Sequence, residues 1–442
     1  MGPRTGPGGA AMVPADSDPY VFSGHGTSDA RDPMPPDVAD GSAPTPCPSD
    51  GPETAMPQPA APPAVPLADG APDAPAAFRL PGASVPPPAP PGTAPAAPAA
   101  SEFAPLLRAV RGQGLLDRRV AWYARGMGIN LLALAAVVTG VVLAGGSWWV
   151  LFLAPPLALF SARAAFFGHD AGHAQITGRR RAGRIIQLVH ADLLLGMSRV
   201  WWNDKHNRHH ANPNHVDKDP DVAADVLVFT QRQAVGRTGP RGWLTRHQAW
   251  LFFPLTTLEG IALKVYGFRA VFAARGTGRR DRERLVEAVL LTAHAAGYAA
   301  LLFASMPPVR ALLFALLHQM VLGLHLGMAF APNHKGMEMP DEEHGRDWGH
   351  LRRQVLTSRN IRGGPVTDWL LGGLNYQIEH HLFPSMPRPH LRLARPLVRA
   401  HCRDLGLPYT ETGLVDSYRQ ALGHLHEVGG PLRESGAVRG TV

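Results

Sequence analysis

The sequence predicts an all-α integral membrane protein: about four transmembrane helices in two hairpins, with a helical cap on one side that carries a histidine-rich metal site. Three observations lead there. Four apolar stretches approach or reach the roughly 20 residues that a helix needs to cross a hydrocarbon core. Arginines gather at the open ends of both hairpins, and three histidine clusters stand where apolar stretches end.

The expected crossings are residues 127–144, 148–167, 286–305 and 309–331, linked in pairs by Gly145-Gly146-Ser147 and Met306-Pro307-Pro308. Arg118, Arg119 and Arg125 precede the first hairpin; Arg179, Arg180, Arg181 and Arg184 follow it. The second is entered through Arg279, Arg280, Arg282 and Arg284 and left toward Lys335, Arg346, Arg352 and Arg353. Cationic loops stay inside, so both open ends, both termini and all the histidine clusters are expected on the cytoplasmic face. Residues 185–197 and 250–272 are apolar but interrupted by Gln187, Asp192, Glu259 and Lys264, and read as helices lying in the interface. A rival reading makes them a further pair of crossings.

Around this unit the composition changes. Residues 1–100 are saturated with Pro, Ala, Gly and Ser and show no apolar periodicity, which predicts disorder. One membrane-embedded domain is expected over 101–415 and a short tail over 416–442. Met1 is not followed by a charged segment and a short apolar one, so no cleaved secretory signal is expected. Cys47 and Cys402 are the two cysteines of the 442 residues, too few for a disulfide framework or an iron–sulfur centre. The net charge of +8 gathers at the ends of apolar segments, which points to membrane topology and away from nucleic acid. Arginine far outnumbers lysine and Ala and Gly abound, a pattern of GC-rich genomes that suggests a bacterial inner membrane.

The histidine clusters read His169-Asp-Ala-Gly-His173, His206-Asn-Arg-His209-His210 and Gln377-Ile-Glu-His380-His381. Residues four apart share a helix face. His169 and His173 can therefore meet one ion, as can His206 with His209 or His210, and Gln377 with His380 or His381. One such pair is ordinarily surface decoration. Three clusters in one membrane chain supply seven imidazoles and an amide, more than a single ion takes, and imidazole suits iron, copper, zinc and nickel.

These boxes, with the run 367–384 around Gly-Leu-Asn-Tyr-Gln-Ile-Glu-His-His and the segment Phe330-Ala-Pro-Asn-His-Lys-Gly-Met337, resemble those of the membrane fatty acid desaturases, in particular a bacterial acyl or front-end branch with a QxxHH third box. The resemblance covers roughly residues 105–410. It implies His169, His173, His206, His209, His210, His334, His380 and His381 as metal ligands, with Gln377 where many relatives have histidine. It also implies two non-haem iron ions, O2 as co-substrate and a fatty acyl-CoA or acyl-lipid substrate. Zinc, without redox chemistry, cannot break a methylene C–H bond; iron with oxygen can. No His-Pro-Gly-Gly haem motif of a fused cytochrome b5 domain is present. Electrons are therefore expected from a separate ferredoxin-like or cytochrome donor with its reductase. A hydroxylase or epoxygenase on the same scaffold is the alternative, and a non-catalytic metal- or haem-handling membrane protein is a remote one.

A ligating imidazole needs a partner on its other ring nitrogen. Asp170 and Glu379 lie inside the boxes and are expected in that role; Asp204, Asp217, Asp219 and Asp221 are weaker candidates, as is His215. Asn333 bonds a ligand imidazole or shapes the turn after Pro332. His190, His294, His318 and His325 fall within apolar stretches but outside the boxes, and are expected to be satisfied by neighbouring helices. His344, His350, His390, His401, His424 and His426 are assigned to solvated surface. Trp148 and Trp149 read as interface anchors, while Trp201 and Trp202, just before the second box, could wall the site.

Overall fold

The computed structural model describes residues 101–273 and 279–433. The segment 1–100 expected to be disordered lies outside them, as does the chain beyond 433. Helix α1 (Phe103–Gly112) buries Leu106 and Val110, four apart on one face. Helix α2 (Val120–Ala144) turns at Gly145 into a tight helical turn, Trp148–Leu153, started by the Ser147 hydroxyl accepting from the Trp149 N–H at 3.3 Å, and continues as α3 (Ala154–Gly172). Next, α4 (Arg180–Gln187) runs into a widened turn, Leu188–Leu195, that Gly196 ends at φ +78°.

The second box sits on α5 (Arg199–Ala211), capped by the Ser198 hydroxyl, which accepts from the Trp201 N–H at 3.2 Å. A single turn, α6 (Gln231–Ala234), leads to α7 (Gly239–Thr256) and α8 (Glu259–Ala273), then to α9 (Arg279–Ser305) and α10 (Pro308–Phe330). The cap closes with α11 (His350–Leu356), α12 (Pro365–Leu370), α13 (Gln377–Leu382), α14 (Arg388–Asp404) and α15 (Leu414–Val428). Strands β1 (Asn360–Arg362) and β2 (Glu411–Gly413) pair in parallel, Asn360 opposite Glu411. This small bridge is the one departure from an all-α fold among the described residues.

Among the described residues, four helical spans are long and apolar enough to cross a membrane, Val120–Ala144, Trp148–Gly172, Asp281–Ser305 and Pro308–Asn333, and the bent pair Gly239–Thr256 and Glu259–Ala273 would add a fifth only if taken as one span. The four match the expected crossings but extend beyond them, because hydropathy marks the hydrocarbon portion while the helix continues into the polar region. The second span therefore carries His169 within its last turn. Helix α3 is buried along most of its length and packs on α10, whereas α2 shows Leu132 and Leu143 73% and 81% exposed, the side that lipid covers. This is a membrane protein.

The stretch 250–272, expected as one interfacial helix, is two helices meeting at 81°. The break has a local cause. The hydroxyls of Thr256 and Thr257 donate back to the carbonyls of Phe252 and Pro254 at 2.7 and 2.6 Å, in competition with the helical pattern. Beyond the bend, α8 crosses α10 where Gly260 faces Gly323; a Cβ on Gly323 would stand 2.5 Å from the Thr257 carbonyl oxygen. The expected boundary at 415 also falls inside a helix. Tyr418, Ala421, Leu425 and Val428 recur at helical spacing and are buried, with Tyr418 and Leu425 packing on Phe252 of α7. Residues 414–428 are thus part of the packed unit.

Candidate metal centre

The returning helix of each hairpin delivers ligand candidates to one side of the bundle. His169 and His173 end α3; His334 follows the tight turn Ala331–Asn333 at the end of α10. Helix α5 presents His206, His209 and His210 from the cap, and α13 presents Gln377, His380 and His381. The third box is aimed by Gly372 and Gly373, at φ +62° and +80°, because a Cβ on the first would run into the Phe166 ring at 2.5 Å.

The imidazoles form two sets. His169, His173, His206, His210 and His380 converge on one point; His209, His334 and His381 converge on a second. Within the first, His206 Nε2 lies 3.0 Å from His169 Nε2, 2.9 Å from His173 Nε2 and 3.1 Å from His210 Nε2, and His380 Nε2 lies 3.2 Å from His210 Nε2. The parallel rings of His210 and His381, 4.2 Å apart, join the two sets.

The other ring nitrogens fix the tautomers. In the smaller set, Nδ1 of His209 faces the Asp219 carboxylate at 2.8 Å, that of His334 the Thr357 carbonyl at 2.9 Å, and that of His381 the Gln354 amide oxygen at 2.9 Å. All three partners accept, so Nδ1 carries the proton and each Nε2 turns a lone pair toward the shared point. His169 is held likewise by Asp170, 3.1 Å away, whose other oxygen meets Arg388 at 2.5 Å. Burial, reinforced by neighbouring imidazoles, holds His173, His206, His210, His380 and His381 well below the usual imidazole range and pushes His334 down to about 3. Neutral imidazoles with converging lone pairs repel one another unless a cation stands among them. One proton on His206 cannot satisfy three neighbours, so the donor set fits two imidazole-preferring metal ions.

Gln377 stands beside the smaller set. Its oxygen accepts from Asn333, and its nitrogen faces His334 Nε2 at 2.9 Å. Asn333 also donates to the carbonyls of Ala329 and Leu374, which shapes the turn. Glu379 does not face an imidazole. Its carboxylate accepts from Asn360 and the Tyr409 hydroxyl, both at 2.7 Å, and burial raises it to about 7. The reason is helical phase: Glu379 lies on the side of α13 opposite His381. Asp219 holds His209, and Asp221 braces the same ring at 3.4 Å while pairing with Lys205. Asp204 and Asp217 sit on the surface with Arg208 and Arg232. His215 is buried beside the Asp217 N–H, away from both sets.

Of the four histidines in apolar stretches, three bond to neighbouring segments, His294 to Leu193 O, His318 to Tyr298 and His325 to Leu370 O, whereas His190, outside the four spans, bonds to Ile186 O one turn back in its own helical run. Three histidines assigned to solvated surface are not there. His390 is buried on the Leu115 carbonyl, while His401 and His424 are half-buried on those of Glu102 and Phe229. Each faces the cap interior, where a carbonyl is available. Trp202 stacks on His206 with centroids 4.9 Å apart and walls the larger set together with Phe330. Sequence reasoning missed Gln354, Thr357, Arg388 and Asn214. The last donates to the carbonyls of His334 and Thr357 at 2.9 and 3.3 Å and tolerates φ +57°. None of the four lies within a histidine box, and only packing shows them.

Comparison with known proteins decides the family. The sequence profile described as fatty acid desaturase matches residues 146–413, more than half of the chain. The chain belongs to the fatty acid desaturase family. It is 31% identical over 335 residues to fatty acid desaturase 3 of Bos taurus, covering 72% of this chain and 71% of that one. It is 30% identical over 289 residues to Delta(8)-fatty-acid desaturase 2 of Arabidopsis thaliana, 62% of this chain and 63% of the relative. A Delta(6)-fatty-acid desaturase of Caenorhabditis elegans is 30% identical over 292 residues, 63% and 64%. This desaturase-family chain thus spans less than two thirds of the length of the plant and nematode relatives.

Proposed function

We propose that the chain inserts a double bond into a long fatty acyl group, carried as acyl-CoA or acyl-lipid, at a non-haem di-iron centre. The observation that carries this reading is the convergence of eight imidazoles in two adjacent buried sets, with lone pairs directed inward. His169, His173, His206, His210 and His380 would hold one iron, and His209, His334 and His381 the other. When bound, the iron pair supplies the O2-dependent hydrogen removal that no side chain can perform. In net terms two hydrogens leave the acyl chain, and O2 with two electrons and two protons leaves as two waters.

The residues of the chain orient and shield. Asp170, Asp219, Gln354 and the Thr357 carbonyl set imidazole tautomers, Gln377 steers His334, and Trp202 and Phe330 exclude water from the larger set. The cationic hairpin ends support a cytoplasmic position for the site and the termini, and the composition supports a bacterial inner membrane. Electrons come from a separate ferredoxin-like or cytochrome protein and its reductase.

The test is fatty acid profiling in a host expressing the chain with a reductase system, beside a His380→Ala, His381→Ala variant. A new acyl species two mass units lighter, absent from the variant, is expected. A species sixteen units heavier would move the reading to hydroxylation or epoxidation.

A further inference from the structure

Helix α14 carries Arg392, Arg395, Arg399 and Arg403 along one face, lining an open groove of about 680 Å³ that Leu407 and Tyr409 complete. The row extends about 16 Å along the helix axis. Two carboxylates answer it: Glu411 meets Arg395 at 2.9 Å and Arg399 at 3.8 Å, and Asp404 meets Arg403 at 3.2 Å. Arg392 has no carboxylate partner among the described residues, and the side chains of Arg399 and Arg403 are 64% and 77% exposed. The groove therefore keeps a positive excess spread over a length suited to a protein surface.

Its inner wall adjoins the metal centre. The Tyr409 hydroxyl donates to Glu379 at 2.7 Å and accepts from Asn360 at 2.6 Å, and Glu379 is the chain neighbour of His380. Asn360, Glu379, Val398 and Cys402 behind it are fully buried. An acyl chain cannot be threaded through that closed wall, whereas an electron needs only the bonded path through Tyr409, Glu379 and the α13 backbone. This separates a thioester phosphate group, whose acyl chain would be stranded outside, from a redox partner.

We propose that the arginine groove of α14 is the docking surface for an acidic one-electron carrier protein, which delivers electrons to the histidine-held metals across the Tyr409–Glu379 wall. The proposal rests on the desaturase reading above. In each delivery the carrier's reduced centre would lose one electron to the metals that the imidazoles would hold, and the net reaction needs two such deliveries.

The test uses the full chain in nanodiscs, with an Arg392→Glu, Arg399→Glu variant. Association of an acidic [2Fe–2S] ferredoxin and of cytochrome b5 is measured at low and high salt, together with coenzyme A binding, iron content, and turnover driven by carrier plus reductase or by dithionite. For at least one carrier we expect salt-sensitive binding that weakens about tenfold or more in the variant, since charge reversal acts on both steering and affinity. The KM for that carrier should rise while iron content and dithionite-driven turnover stay unchanged. Neither carrier binding the parent, equal binding by the variant, or loss of coenzyme A binding with carrier binding intact would each overturn the proposal. If the parent makes no unsaturated product with either electron source, the desaturase reading fails, and the binding arm still judges the surface.

Discussion

The two imidazole sets are built to different standards. In the set of three, every ring has its Nδ1 tied to a separate acceptor: Asp219, the Thr357 carbonyl or Gln354. In the set of five, only His169 is tied in this way, to Asp170, and the buried Nδ1 atoms of His210 and His380 have no hydrogen-bond partner. The smaller set is therefore held by outer hydrogen bonds, one per ring, while the larger relies on numbers and on packing against Trp202 and Phe330. A site with few ligands needs each of them fixed, since losing one ring's orientation removes a third of the donors. A site with five tolerates freer rings.

This contrast can be broken most directly at the ligands. His381→Ala, in the set of three, is expected to abolish product formation and to lower bound iron more than His173→Ala, in the set of five; iron per chain by mass spectrometry measures both. Equal losses would end the distinction.

The outer bonds give the next largest effect. Gln354→Leu removes the acceptor from His381 and the donor to the His210 carbonyl, 3.0 Å away. Loss of such a partner typically costs ~10–100-fold in metal affinity. A chelator titration should show a drop of that size, smaller in Gln354→Glu, which keeps the acceptor. Arg388→Met, which frees the Asp170 carboxylate behind His169, should fall at the low end, because four further imidazoles remain.

The pH dependence sharpens the same comparison. His334 is held at about 3 by burial, so the unfolded chain, with ordinary imidazoles near 6.5, binds more protons than the folded one. The stability that this group contributes is present above pH about 6.5 and is lost as pH falls toward 3. His173, His206, His210, His380 and His381 shift in the same direction, so the metal-free chain should show a falling melting temperature from pH 7 to pH 5. Bound iron should leave the slope as steep or steeper, because metal keeps protons off the same nitrogens in the folded state while the unfolded chain still takes them up.

The smallest effect is expected at Asp204, a weak candidate by sequence that the structure places on the surface with Arg208 at 3.1 Å. Asp204→Asn should leave iron content and product unchanged and alter stability by no more than ~0.5 kcal/mol, the scale of an exposed helical pair. Denaturant unfolding in detergent measures it.

How the boxes divide shows where reading by spacing stops. His206 and His210, four apart on α5, enter one set, whereas His209 enters the other, because adjacent helical positions point about 100° apart. The same phase separates His380 from His381 on α13, and it turns Glu379, inside the box, away toward Asn360 and Tyr409. Spacing alone left His206 free to pair with His209 or His210. The choice needed the position of α5 against α3 and α13.

By itself the sequence determined the four crossings, their pairing into hairpins, and the placing of His169, His173 and His334 at span ends. Those features depend on local hydropathy and helical periodicity, which neighbouring residues encode. The tertiary structure alone decided which imidazoles share a metal position, which acceptors hold their tautomers, and how Arg388 comes to lie behind Asp170. It also drew residues 414–428 into the packed unit. Contacts between distant segments depend on how whole helices pack, and no local pattern carries that information.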